Sequence, residues 1–201
     1  MRGFLLLSLP SRQLFFSLSV ALFTGCSSGT GGQDAVESAT AQNENKISAA
    51  DVTKKQEADA QFLVKTTSNA LLEVELGKLA QARATTPAVR AYGPRLVQSR
   101  LDLLTALRTL ADTKKLALPA ALGADEQAAY HEVSTKTGNE LDKSLMKLIV
   151  KVQKQDDNVF DDMKDDAYDG DIRGFAAKYS RPVSEELDGA KEVASATEDL
   201  P

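Results

Sequence analysis

Apolar residues recur at spacings of three and four along most of this chain, and no stretch alternates as a strand would. The first stripe, Phe62, Thr66, Asn69, Leu76 and Ala80, predicts a helix from about Ala50 to Ala84. Thr86 is placed to cap a second helix, with Pro87 in its first turn, where a missing N–H costs nothing. Val89, Leu96, Leu103, Leu107 and Leu110 form its stripe, and Pro94 inside it predicts a kink. The pattern breaks from Leu116 to about Gly138. Pro119 and Gly123 mark a loop there, and Asp125 to Thr135 reads as a short helix. Asn139 is placed to cap a third long helix, with Asp142 favourable to the dipole of its first turn. Its stripe is Leu145, Ile149, Asp156, Phe160 and Met163. Asp169-Gly170-Asp171 then stops that helix and caps a fourth, striped by Ile172, Phe175, Tyr179, Val183, Ala190 and Val193, with a second kink expected at Pro182.

Short links join the first helix to the second and the third to the fourth, so each pair is an expected antiparallel hairpin. The link between hairpins is roughly 24 residues, enough to cross the length of a bundle. The expected fold is therefore all-α: a ferritin-like four-helix bundle with one long crossover containing a short helix.

Each long helix carries a polar residue on its apolar line: Glu73, Arg100, Gln153 and Glu186, with Asp156 as a second one on the third helix. Glu75, two positions past Glu73, should face water. Facing carboxylates in a bundle core are how di-iron sites are built, but those sites also take a His three residues after a Glu, and no Glu-x-x-His occurs here. Arg100 would repel a cation with its fixed charge. The competing reading is an inward polar network in which Arg100 pairs with Glu73 or Glu186 and Gln153 completes the hydrogen bonds, since an unpaired buried charge is costly. A third reading leaves one or two of these residues snorkelling at the stripe edge.

The N-terminal part has another character. Residues 1–25 have Arg2 near the start and an apolar run from Leu14 to Phe23, shorter than the roughly 20 residues that span a bilayer. They read as a secretory leader. Leu22-Phe23-Thr24-Gly25-Cys26 resembles the lipobox of bacterial lipoproteins, which implies cleavage before Cys26 and lipid attachment to its thiol. Cys26 is the only cysteine, which excludes an intramolecular disulfide and a thiolate cluster. Residues 26–50 are rich in Ser, Gly, Gln and Asn and predict a flexible tether, leaving 51–201 as the folded domain. Removing the leader takes away Arg2 and Arg12 and no acid, and moves the net charge from −5 to −7. With no Trp and few aromatics, such a chain is poorly suited to nucleic acid.

The segment from Asp59-Ala60-Gln61-Phe62-Leu63-Val64 through Glu73-Val74-Glu75-Leu76-Gly77-Lys78-Leu79-Ala80 resembles the first helix of the bacterial domain-of-unknown-function family 4142. Val89-Arg90-Ala91-Tyr92, Lys136-Thr137-Gly138, Leu141-Asp142-Lys143 and Gly174-Phe175-Ala176-Ala177-Lys178 are similar to it in the same order. The resemblance spans about Asp59 to Val193 and implies a ferritin-like envelope protein, often a lipoprotein, of unassigned role. The family pattern places a histidine in each of helices two, three and four. Aligned without gaps, those positions fall on Arg100, Gln153 and Glu186, and only the glutamate, Glu73, is kept. The family's Leu-Pro before the last histidine falls at Ser180-Arg181, with Pro182 displaced by one. The resemblance thus implies a degenerate member that has lost three of four potential metal ligands.

Two weaker signals remain. Eight aspartates lie between Asp156 and Asp171, and Asp165, Asp169 and Gly170 fit a calcium-loop register. Ala167 fails at its third position and Ala176 stands where a bidentate Glu belongs, so a solvated acidic face is expected. His131 has no second histidine or nearby cysteine and reads as a surface residue. Nucleophile and phosphate-loop motifs are absent. The expectation is a non-catalytic protein without cofactor or metal, held to the membrane through Cys26, with an unknown protein partner possible and an outer-membrane location facing the periplasm. Its rival is a divalent-metal protein using Glu73, Asp156, Gln153 and Glu186.

Overall fold

The computed structural model describes residues 34–48 and 54–198; the leader and Cys26 lie outside them. The described residues form six helices and no strand: α1 (Ala35–Ser48), α2 (Lys54–Arg83), α3 (Pro87–Lys114), α4 (Ala124–Ser134), α5 (Gly138–Asp166) and α6 (Gly170–Glu198). The described residues are all-α, as the periodicity predicts.

The expected tether is the main correction, because much of 26–50 is helix α1. Asp34 starts it by accepting N–H bonds from Val36 at 2.8 Å and Glu37 at 3.0 Å. Ala39, Asn43 and Ile47, four residues apart, form its buried line. Asn43 acts as a second backbone: its amide donates to the Ala117 carbonyl at 2.9 Å and its oxygen accepts the Ala117 N–H at 2.7 Å. Only two apolar residues of α1 are buried, so composition alone reads as unfoldable. Docking on α2 and on the 115–124 segment supplies what composition lacks.

Two expected caps also change. Thr86 stands at the N-cap of α3 but makes no side-chain cap bond, and the N-cap of α5 is Thr137, not Asn139. Asp142 does the capping across helices instead, accepting from Thr86 N–H at 2.6 Å, Thr85 N–H at 3.1 Å and the Thr85 hydroxyl at 2.8 Å. Burial opposes its ionisation, yet these bonds hold its carboxyl below the ordinary range. Asp169 does cap α6, accepting from Asp171 and Ile172. Neither Pro94 nor Pro182 ends its helix.

Side-chain contacts set the relative directions. Thr85 meets Asp142 at one end of the α2–α5 pair, while Asp59 near the start of α2 accepts from the Tyr168 and Asp169 N–H groups just past α5. Hence α2 and α5 run antiparallel. Lys114 at the end of α3 bonds Asp169 and Asp171 at the start of α6, so that pair is antiparallel too. The helices α2 and α3 approach closely. A Cβ on Gly93 would lie 2.5 Å from the Gly77 carbonyl oxygen, so the two backbones touch there.

Two apolar clusters fill the interior. One gathers Leu72, Leu76, Leu96, Leu145 and Ile149, and the other Phe62, Leu104, Leu107, Phe160 and Ile172. Phe62 meets Phe160 edge-on, with centroids 5.1 Å apart. Between the clusters in sequence, on every long helix, stand the polar residues.

Candidate functional site

The α2–α3 crossing sets the site. With Gly77 and Gly93 in backbone contact, Glu73 one turn earlier on α2 and Arg100 two turns later on α3 project into the same space. Arg100 is 1 % exposed and Glu73 fully buried. The guanidinium Nη1 lies 3.4 Å from Glu73 Oε2, and Nη2 pairs directly with Glu186 Oε2 on α6. Glu186 is half-buried and also accepts from the Ser99 hydroxyl. Three helices therefore meet at one guanidinium.

The α5 residues extend this layer. Gln153 donates to the Tyr92 hydroxyl at 3.1 Å. Asp156, also fully buried, accepts from the Asn69 amide at 2.6 Å. All five sequence-selected residues are thus brought into the interior, with Glu186 at its rim. Asn69, Tyr92 and Ser99 were missed as members. Asn69 was legible, since it is polar, on the same stripe and one turn before Glu73. Ser99 was not, because it lies beside the stripe of α3.

The charges do not balance locally. Three carboxylates share one guanidinium, and burial sets the outcome. Burial pushes the Glu73 carboxyl upward, opposed by Arg100 and Gln153. Burial, with repulsion from Glu73, pushes Asp156 up to about 8, so Asp156 is a neutral acid at pH 7. Neutral Asp156 leaves one positive charge facing Glu73 and Glu186. Thr66 Oγ1, Gln153 Oε1 and Asp156 Oδ2 have no hydrogen-bond partner among the described residues.

A cleft of about 360 Å³ between α3 and α6 leads to the rim of this layer, lined by Tyr92, Arg95, Ser99, Pro182, Glu185 and Glu186. Among the described residues no three His, Cys, Asp or Glu side chains are arranged to hold a metal ion. The calcium register is not realised: Asp169 caps α6 and pairs with Lys114, and Ala176 is packed in the apolar interior. His131 is on the exposed side of α4.

These features define an all-helical domain crossed by a buried charged layer. The chain belongs to the family described as a domain of unknown function (DUF4142), whose family model matches residues 44–193. That match begins inside α1 and covers the whole polar layer. No curated protein and no solved structure matches the chain.

Proposed function

We propose that this chain is a lipid-anchored envelope protein whose folded part is a ferritin-like four-helix bundle with a non-catalytic, structural or binding role. The observation that carries the reading is Arg100, whose guanidinium takes both Glu73 and Glu186. In a carboxylate-bridged site a metal would make those two contacts, so the arginine stands in its place. The bundle topology is supported by direction. With α2 antiparallel to α5 and α6 antiparallel to α3, this reading has residues 115–137 join two parallel helices. Attachment rests on the lipobox-like sequence ending at Cys26. No helix among the described residues is long and apolar enough to cross a membrane. The proposed site of residence is the outer membrane, facing the periplasm.

A second reading, divalent-metal binding by Glu73, Asp156, Gln153 and Glu186, is favoured by the unpartnered oxygens of Gln153 and Asp156. Metal analysis of the purified full chain separates the two. The structural reading expects no stoichiometric iron, manganese or zinc; near-stoichiometric metal that is lost on Glu73→Ala would overturn it. For the anchor, Cys26→Ser should leave the leader uncut or release the protein from membranes. Unchanged processing and membrane retention would refute lipidation.

A further inference from the structure

The exposed face of α5 is divided by charge, and the division is symmetrical. Lys143, Lys147 and Lys151 follow one another at four-residue spacing, with Lys154 between that row and the next. Asp157, Asp161 and Asp165 then form a second row at the same spacing on the same face. Lys147, Lys151, Lys154, Asp161 and Asp165 are exposed, and Asp157 is half-buried. Like charges four apart on a helix repel each other. Asp165 and Asp166 also sit at the helix C-terminus, where the macrodipole disfavours acids. The stability of α5 therefore does not account for this ordering. Among the described residues Lys164 pairs with Asp161, lies 3.9 Å from Asp165 and is attracted by Asp157, and Lys136 lies 3.7 Å from Glu140.

We propose that this face is the interface with a second copy of the chain, its two α5 helices packed antiparallel. A two-fold axis level with Asp156, on the opposite side of the helix, sets Lys154 against Asp157, Lys151 against Asp161 and Lys147 against Asp165 of the second copy. The contact is isologous, so each pair occurs twice. Tyr168, 55 % exposed, falls at either end of the pairing and adds apolar surface opposite Lys143 and Ser144 of the second copy. An anionic membrane fits less well, because the acidic row begins three residues after the last lysine and would be repelled. Exposed ion pairs are individually weak, so the association is weak and strongly salt-dependent. It does not depend on the role proposed for the buried layer.

The test is sedimentation equilibrium of the full chain in density-matched non-ionic detergent. Salt is raised from about 0.01 M to about 1 M, over which the screening length falls from about 30 Å to about 3 Å. The expected result is a dimer at low salt whose dissociation constant rises at least about tenfold at high salt. The chain with Lys147→Glu, Lys151→Glu and Lys154→Glu should be monomeric, and so should the chain with Asp157→Lys, Asp161→Lys and Asp165→Lys. Mixing the two reversed chains should restore a dimer. A wild-type chain that is monomeric at low salt, or reversed chains that do not pair on mixing, would overturn the proposal. Dimerisation that survives either reversal would also overturn it. Binding of phosphatidylglycerol vesicles by a monomeric wild type would assign the face to lipid instead.

Discussion

Two cations of α3 each hold a pair of carboxylates, and they do so under opposite conditions. Lys114, near the end of the helix, reaches Asp169 at 2.7 Å and Asp171 at 2.6 Å where all three side chains meet water. Arg100, four turns earlier, reaches Glu73 and Glu186 with almost no exposure of its own. The chemistry is nearly the same. Water screens the first cluster and side-chain entropy opposes it, so it contributes little. The second is deprived of water on most sides, and each group depends on the others to offset its desolvation.

Arg100→Ala should give the largest separation between the two. It leaves Glu73 buried without its cation and should cost about 3–5 kcal/mol in denaturant unfolding; a loss under about 0.5 kcal/mol would mean that the layer is wet. Replacing Arg100 by Met together with Glu73 by Leu should recover most of that loss. Well-packed apolar residues often match a buried ion pair, and half-buried Glu186 can turn to solvent.

The second effect is a pH dependence that only the buried layer can produce. The carboxyl of Asp156 is raised from an ordinary 3.8 to about 8 in the fold, so between these values the folded chain binds more protons than the unfolded one. Its contribution is complete below about pH 4 and is lost as pH rises through about 8, with a slope of at most about 1.4 kcal/mol per pH unit for one site. Raised Glu73 acts in the same direction. Lowered Asp142 and Asp169 act in the opposite one, with stability lost as pH falls below the ordinary carboxylate range. Asp156→Asn should therefore flatten the neutral-pH slope in a stability series from pH 4 to 9. An unchanged slope would show that Asp156 is ionised throughout.

The smallest effect belongs to the exposed cluster. Lys114→Ala should cost less than about 1 kcal/mol, and the difference should fade in molar salt. A loss comparable to that of Arg100→Ala would remove the distinction between the two sites.

Much of this contrast is visible in one dimension. Glu73, Arg100, Gln153, Asp156 and Glu186 stand out because each interrupts a run of apolar residues at helical spacing, and a polar residue on an inward face has few alternatives to an inward partner. The caps were less legible. Thr86 and Asn139 have the right side chains for capping, yet Asp142 reaches across from α5 and satisfies the start of α3 instead. Residues 35–48 mislead for a related reason. Their docking includes the Asn43 amide pairing with the Ala117 backbone 74 positions away and packing on α2, and no local pattern announces such contacts.

The sequence by itself determined the helical character and the approximate bounds of α2 to α6, because periodicity and punctuation are local properties of the chain. It also determined which residues would interrupt the core. Only the tertiary structure decided that one guanidinium would take two of the three carboxylates and leave Asp156 to its proton. That choice depends on the close approach of α2 and α3 at Gly77 and Gly93. It depends equally on how much water each group loses, and neither quantity is written in any single stretch of residues.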